Sequence, residues 1–246
     1  MNGQTVWVRL ADELRFFASP QHRREEVGVR HDGTATLGHL VESLGVPLPE
    51  VGTLLADGEP VTLRQRPRPG ARVDVFAVRR PQQVAASRLC FLLDVHFGTL
   101  ARRLRLLGID TAYRNDATDD ELVDQARREH RVLLTQDRGL LRRRALWAGA
   151  YVRGLRPDDQ LADVLDRFAP PLRPWTRCTS CNGELSRVSK EDVVAELKPG
   201  TRRSYDAFAR CDSCGQIYWR GAHARRLDAI VATARQKTSG APNVQP

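Results

Sequence analysis

The chain has 246 residues, of which 41% are hydrophobic and 28% charged, a balance that excludes an intrinsically disordered polypeptide. No apolar run approaches the ~20 residues of a membrane-spanning helix, so we expect a protein without membrane spans. The net charge is +9, and residues 171–246 carry 13 basic and 7 acidic side chains, which favours either a nucleic-acid partner or a merely arginine-rich surface.

The first 80 residues predict a small α+β domain. Apolar residues alternate over 6–10 as in a strand, and those over 37–44 recur at helical spacing. The turn signal Asp57-Gly58 predicts a hairpin, and valines over 73–78 predict a closing strand. Strands of this number around one helix are typical of a domain that folds on its own.

A polar linker over residues 79–87 leads to a second domain, at 88–170, where short strands alternate with helices. The predicted elements are a strand at 89–93, a helix at 98–107, an extended stretch at Tyr113, a helix at 119–130, a strand at 132–134, a helix at 140–146, an extended stretch at 151–152 and a helix at 161–168. Short strands and helices that alternate in this way predict βαβ units and a parallel sheet.

Carboxylates follow the strands of this second domain. Asp94 comes directly after the first strand, Asp137 comes shortly after the third, and Asp119 opens the helix between them on its apolar face. The carboxyl ends of parallel strands meet at one edge, where such sheets bind their ligands. Three carboxylates together need a cation, and hard oxygen donors favour Mg²⁺ or Mn²⁺. Asp159, after the last extended stretch, is the candidate fourth acid.

A purely structural interpretation of these acids stays open. Thr118 and Glu121 have the spacing of a capping box, and acidic residues favour the positive end of a helix dipole without any catalysis. An aspartate directly after a strand is also a common turn residue.

Residues 174–223 contain two Cys-x-x-Cys pairs, with 29 residues between the second cysteine and the third. Two such turns supply the four thiolates of a closed tetrahedral zinc site, which has no open position and is therefore structural. Disulfides or free thiols are the alternative. The N-terminus lacks the apolar core of a signal peptide, so we expect a cytoplasmic protein with reduced thiols. The expected zinc ligands are Cys178, Cys181, Cys211 and Cys214.

Several motifs between residues 89 and 230 together resemble the Mut-seven C-terminal RNase domain family, a branch of the PIN-like nucleases. They lie at residues 92–98, 100–110, 119–126, 131–137, 177–185, 211–215 and 218–223. The resemblance implies a PIN-like three-layer α/β/α parallel-sheet domain followed by a zinc ribbon, and residues 224–246 are left as a C-terminal helix and a disordered tail. It places the catalytic, metal-binding acids on Asp94, Asp119 and Asp137.

The activity implied is metal-dependent hydrolysis of RNA phosphodiester bonds, with Zn as a structural ion, Mg or Mn as the catalytic ion and RNA as the partner. The alternative is a non-catalytic RNA-binding or ribosome-associated adaptor that uses the ribbon and the N-terminal domain. In both, the ribbon is expected to contact RNA through Arg177, Arg187, Arg202, Arg203 and Arg220, with Trp175, Tyr218 and Trp219 available for base stacking.

The N-terminal domain resembles the ubiquitin-like β-grasp domain fused to such nucleases, which is related to the sulfur carriers of molybdopterin and thiamine synthesis. Active carriers end in an exposed Gly-Gly, whereas here Val78-Arg79-Arg80-Pro81 continues into the next domain. Thiocarboxylate chemistry is therefore excluded on covalent grounds. An interaction role is left, with a protein partner of unknown identity.

Overall fold

The computed structural model describes residues 4–86, 88–221 and 224–239, and the side chains of all these except 224–226 and 237–239. The disordered tail predicted from the sequence falls mainly on 240–246, outside the described residues. Within the described part of the chain, every helix is too short or too polar to cross a membrane.

A mixed sheet with one principal helix forms the N-terminal domain. Its strand order is β2-β1-β5-β3-β4; β1 and β5 run parallel, and the other neighbours are antiparallel. This is the β-grasp arrangement expected from the sequence, with the helix α2 packed on one face through Leu37, Leu40 and Val41. The elements are β1 (Gln4–Leu10), α1 (Asp12–Arg15), β2 (Glu26–His31), α2 (Leu37–Ser43), β3 (Val51–Ala56), β4 (Glu59–Val61) and β5 (Arg72–Ala77).

The second domain contains four parallel strands in the order β7-β6-β8-β9. The alternating βα order predicted from the sequence is confirmed, except that the helix expected at 140–146 spans one turn and ends at Leu141. The elements are β6 (Phe91–Leu93), α3 (Gly98–Leu106), β7 (Thr111–Tyr113), α4 (Asp119–Arg128), β8 (Val132–Thr135), α5 (Arg138–Leu141), β9 (Gly149–Tyr151) and α6 (Pro157–Phe168).

Helices cover both faces of this parallel sheet. Phe91 and Leu93 point to one side, where they pack with α3 and α6, while Leu92 points to the other side and packs with α4 and α5. The central strands β6 and β8 are buried on both faces, which explains their nearly continuous apolar sequences. The domain is therefore the three-layer α/β/α fold that the sequence predicted.

A three-stranded antiparallel sheet, in the order β10-β11-β12, carries the cysteine pairs. Its own core is small, with Val193, Leu197 and Phe208 as the buried apolar residues. The C-terminal helix α8 returns to the face of the second domain that α3 and α6 cover, where Val231 and Ala234 are buried. The elements are β10 (Leu185–Val188), α7 (Pro199–Ser204), β11 (Phe208–Cys211), β12 (Ile217–Trp219) and α8 (Ala224–Ser239).

A buried ion pair joins the first two domains. Arg167 of α6 is 1% exposed, and it donates to both carboxylate oxygens of Glu50 at 2.7 and 2.9 Å. Glu50 also accepts from the backbone N–H of Tyr151 at 2.8 Å, and Gln82 of the linker accepts from Nε of Arg167 at 2.7 Å. The linker is thus part of a fixed interface rather than a loose tether.

We expect Glu50→Ala to lower the free energy of unfolding by ~3–5 kcal/mol, because it leaves the charge of Arg167 buried without its partner. A suitable control is Asp74→Ala, which breaks the solvent-exposed pair with Arg9 and should cost ~0–1 kcal/mol. Urea unfolding of both variants measures the difference. Equal losses for the two variants would contradict a structural role for the buried pair.

Candidate active site and metal centre

A cavity of about 580 Å³ opens at the carboxyl edge of the parallel sheet. Asp94, Asp119 and Asp137 all line it, together with His96 and Arg138. The cavity lies there because β6 ends just before Asp94 and β8 ends two residues before Asp137, while α4 begins at Asp119. The structure thus brings the three sequence-predicted acids to one place.

Asp94 is the buried member of the set, with 7% of its surface exposed. Its Oδ2 accepts a hydrogen bond from the hydroxyl of Thr135 at 2.6 Å. Its Oδ1 lies 3.0 Å from Nδ1 of His96 and also accepts from the backbone N–H of His96 at 3.3 Å. Both oxygens of this carboxylate are therefore held in fixed positions.

Asp137 is exposed and is held by the turn that it opens. Its Oδ1 accepts from the backbone N–H groups of Gly139 and Leu140, at 2.6 and 3.2 Å, so it caps α5. Its own N–H donates to the Thr135 hydroxyl at 2.8 Å, the same hydroxyl that donates to Asp94. Thr135 is fully buried and links the two acids.

Asp119 is an exposed residue at the first position of α4. The capping box predicted from Thr118 and Glu121 is present. The Asp119 carboxylate takes no part in it. The backbone N–H of Thr118, the Arg114 guanidinium and the Thr118 hydroxyl hold the pKa of Glu121 at about 2.

Asp159 lies elsewhere. It is in the first turn of α6, pairs with Arg156 at 3.2 Å and lines a different cavity, between α6 and α8. The structure therefore does not bring it to the three other acids.

The three acids fit a hard divalent cation by the chemistry of their donor atoms, since all are carboxylates and Asp94 is fixed by hydrogen bonds. Among the described residues, however, their oxygens do not all come within 4.8 Å of one another.

The four cysteines form a tighter cluster. Their sulfur atoms all lie within 4.8 Å of one another, with Cys181 and Cys211 at 3.4 Å and Cys178 and Cys214 at 3.7 Å. Tetrahedral Zn–S bonds of ~2.3 Å place neighbouring sulfurs about 3.8 Å apart, so the cluster fits one zinc ion. Position 183 must be glycine for this packing, because a Cβ there would lie 2.8 Å from the sulfur of Cys211.

Two family models match this chain. The Mut7-C RNAse domain matches residues 89–231, more than half of the length, and the Mut7-C ubiquitin domain matches residues 3–83. The chain belongs to the Mut7-C RNase family. The resemblance stated from the sequence is confirmed in both regions. Comparisons with curated proteins and with solved structures give no match.

In this Mut7-C RNase domain protein, the surroundings of two cysteines in the cluster shift their pKa values in opposite directions. Burial raises the pKa of Cys178, but the Tyr218 hydroxyl and nearby backbone N–H groups outweigh it and bring the pKa down to about 6. Burial and hydrogen bonds with the other thiols raise the pKa of Cys181 to about 12. Because metal ligation requires deprotonated sulfur, a bound zinc ion would favour the thiolate form of Cys181.

Arg105 and Asp110 attach the ribbon to the Mut7-C RNase domain, and sequence reasoning missed both roles. Arg105 is buried in α3 and donates to the carbonyls of Thr179 and Ser180, in the first cysteine turn, at 3.2 and 2.6 Å. Asp110 accepts from Asn182, in the same turn, at 2.9 Å. The only sequence signal was an arginine at a position of α3 between apolar residues.

Asp110 also pairs with Arg131 at 2.7 Å and with Arg177 at 3.3 Å, and Arg177 is 8% exposed. The expectation that Arg177 contacts RNA is therefore corrected, since its guanidinium is used inside the protein. The other arginines expected to bind RNA are exposed; they are Arg187, Arg202, Arg203 and Arg220.

A groove of about 670 Å³ runs along the Mut7-C ribbon and combines aromatic with basic side chains. Arg220 lies over the ring of Trp175 at 5.5 Å, and Trp219 is 39% exposed. Tyr218 and Arg187 complete the mixed lining. Trp175 packs against the core of the parallel-sheet domain.

Proposed function

We propose that this protein is a ribonuclease that depends on a divalent metal, Mg²⁺ or Mn²⁺, held by Asp94, Asp119 and Asp137. The observation that carries the proposal is the meeting of these three carboxylates in one cavity of a chain with a Mut7-C RNase domain. When bound, the metal would supply the positive charge that offsets the carboxylates and polarises water and phosphate oxygens.

The chain's own residues have separate tasks in this proposal. Thr135 and His96 hold the oxygens of Asp94 in place, so this ligand needs no reorganisation when the metal binds. Asp119 and Asp137 are the exposed acids, and one of them accepts the proton of the attacking water. Water adds at phosphorus, the bond from phosphorus to the 3′-oxygen breaks, and the departing oxygen takes its proton from solvent water, to which the carboxylic acid later returns the proton that it accepted.

Zinc bound by the four cysteines completes the proposal as a structural ion. The ribbon groove contributes substrate binding, because exposed aromatic faces stack on unpaired bases while arginines contact phosphates. Single-stranded RNA, or unpaired segments of a folded RNA, is the substrate class that such a groove suits.

The adaptor function stays the second candidate, and one observation favours it: the carboxylate oxygens are farther apart than the sulfurs of the cysteine cluster. A protein that binds RNA through the ribbon groove needs no cluster of acids. The two candidates differ in whether RNA is cut.

Incubation of the purified full-length protein with mixed single-stranded RNA separates the candidates. We expect cleavage with Mn²⁺ or Mg²⁺, none with EDTA, and products that carry 5′-phosphate and 3′-hydroxyl ends. Attack by water leaves these ends, whereas a contaminating metal-independent ribonuclease that uses the 2′-hydroxyl leaves a 2′,3′-cyclic phosphate. Tight binding in a gel-shift assay without cleavage in either metal would reject the enzyme in favour of the adaptor.

A further inference from the structure

The arginine that follows Asp137 is bound by the N-terminal domain. Arg138 donates from Nη1 to the carbonyl of Phe17 at 3.1 Å and from Nη2 to the carbonyl of Phe16 at 3.2 Å. Its guanidinium also lies over the Phe16 ring, 4.8 Å from the centroid. Arg138 itself lines the cavity of the three acids, so the two domains meet at the edge of the candidate active site.

The segment that Arg138 anchors, Asp137 followed by α5, has little stability of its own. The helix α5 spans only Arg138–Leu141, and a single turn does not persist without tertiary contacts. Asp137 at its start is exposed, and the hydrogen bonds of its carboxylate all go to the N–H groups of that turn. The position of the carboxylate therefore depends on whatever fixes the turn.

Other contacts anchor the segment within its own domain. Gln136 donates to the carbonyls of Val152 and Gly154, at 2.9 and 2.8 Å, and Leu140 and Leu141 are buried. Among the described side chains that line the acid cavity, Arg138 is the one whose hydrogen bonds reach the N-terminal domain.

The surface of the N-terminal domain that receives Arg138 is itself firmly placed. Tyr151 of β9 packs edge-on against Phe16 and Phe17, with centroids 5.5 and 5.1 Å apart. Arg153 donates to the carbonyl of Glu13 at 2.8 Å and also lies over the Phe16 ring. Together with the buried Glu50–Arg167 pair, these contacts hold the N-terminal domain against the second domain.

From these contacts we infer that the N-terminal β-grasp domain forms part of the active site: it holds Arg138, and through Arg138 it positions Asp137. The inference rests on the proposed function, because positioning Asp137 matters for catalysis only if that carboxylate binds the metal. Arg138 and Phe16 are positioning residues in this scheme. The domain's exposed Trp7 and Phe76 lie outside the contact and stay available for a protein partner.

The test uses the full-length protein with Arg138→Gln and Phe16→Ala. Trp7→Ala is the matched control, since Trp7 and Phe16 are 42% and 43% exposed and only Phe16 touches Arg138. Hydrogen exchange followed by mass spectrometry reports on residues 136–146, and calorimetric titration with Mn²⁺ alone reports on metal affinity.

For Arg138→Gln and Phe16→Ala we expect exchange at 136–146 to accelerate about tenfold or more, with exchange in the sheet unchanged. Mn²⁺ should bind about tenfold more weakly, as is typical when a residue that orients a metal ligand is lost. The Trp7 variant should match the wild type in both. Unchanged exchange in both variants would overturn the inference. If the wild type itself binds no Mn²⁺ and the variants still show accelerated exchange, the contact between the domains is supported and the proposed nuclease is rejected.

Discussion

Replacing Asp94 with asparagine is expected to lower the rate of metal-dependent RNA cleavage by about three orders of magnitude, equivalent to roughly 4 kcal/mol. Asp94 is the buried acid of the cavity, and its two oxygens are already oriented by Thr135 and His96. Asparagine keeps the size and the capping ability of aspartate but removes the negative charge that a divalent cation requires. The variant should therefore fold normally and fail in catalysis.

Two further variants show whether the loss is specific to the cavity. Asp159→Asn removes a carboxylate that lines a separate cavity, and Asp120→Asn removes one in the first turn of α4 that pairs with Arg143. Both should retain activity within a factor of a few. Initial rates at saturating Mn²⁺, with circular dichroism as a check on folding, measure the effect. If Asp94→Asn cuts RNA as fast as Asp159→Asn, the assignment of the cavity is wrong.

The acid cavity was predictable because the position of each acid follows from local patterns. Apolar runs marked β6 and β8, and their carboxyl ends had to meet at one edge once the sheet was parallel. The same rule failed for Asp159. It follows β9 in the sequence, but it lies within the first turn of α6 and lines the separate cavity between α6 and α8.

The helix expected at 140–146 shows a second limit of local patterns. Leu140 and Leu146 both contact the same core cluster, yet the helix ends at Leu141. Asp137 caps the helix and so starts it at Arg138, and the chain leaves the helical path after Leu141 although β9 begins only at Gly149. Apolar spacing records which residues are buried and not the backbone path between them.

Contacts between domains were beyond the sequence altogether. Glu50 and Arg167 are 117 positions apart, and each is a residue type that is normally exposed. Nothing in the neighbourhood of either residue indicates that the other will neutralise it. The same holds for Arg138, whose partners are backbone carbonyls. Because every residue has a carbonyl, such a contact does not restrict which side chain stands at the partner position.

Loss of the zinc ligands should have the other large effect. Cys211→Ser is expected to abolish zinc binding and unfold the ribbon, because its core has only three buried apolar residues besides the cysteines. Structural zinc supplies on the order of 10–16 kcal/mol in small zinc-binding peptides at neutral pH, far more than such a core provides. The parallel-sheet domain, with its own larger core, should stay folded.

The fifth cysteine provides the control. Cys90 lies next to β6, where its thiol donates to the carbonyl of His130, and it does not belong to the four-cysteine cluster. Elemental analysis should find one zinc per chain in the wild type and in Cys90→Ser, and none in Cys211→Ser. RNA affinity should fall with the zinc, since the groove of Trp219 and Arg220 is built on the ribbon strands. A Cys211→Ser protein that keeps both its ribbon and its RNA affinity would show that the metal is not what folds this module.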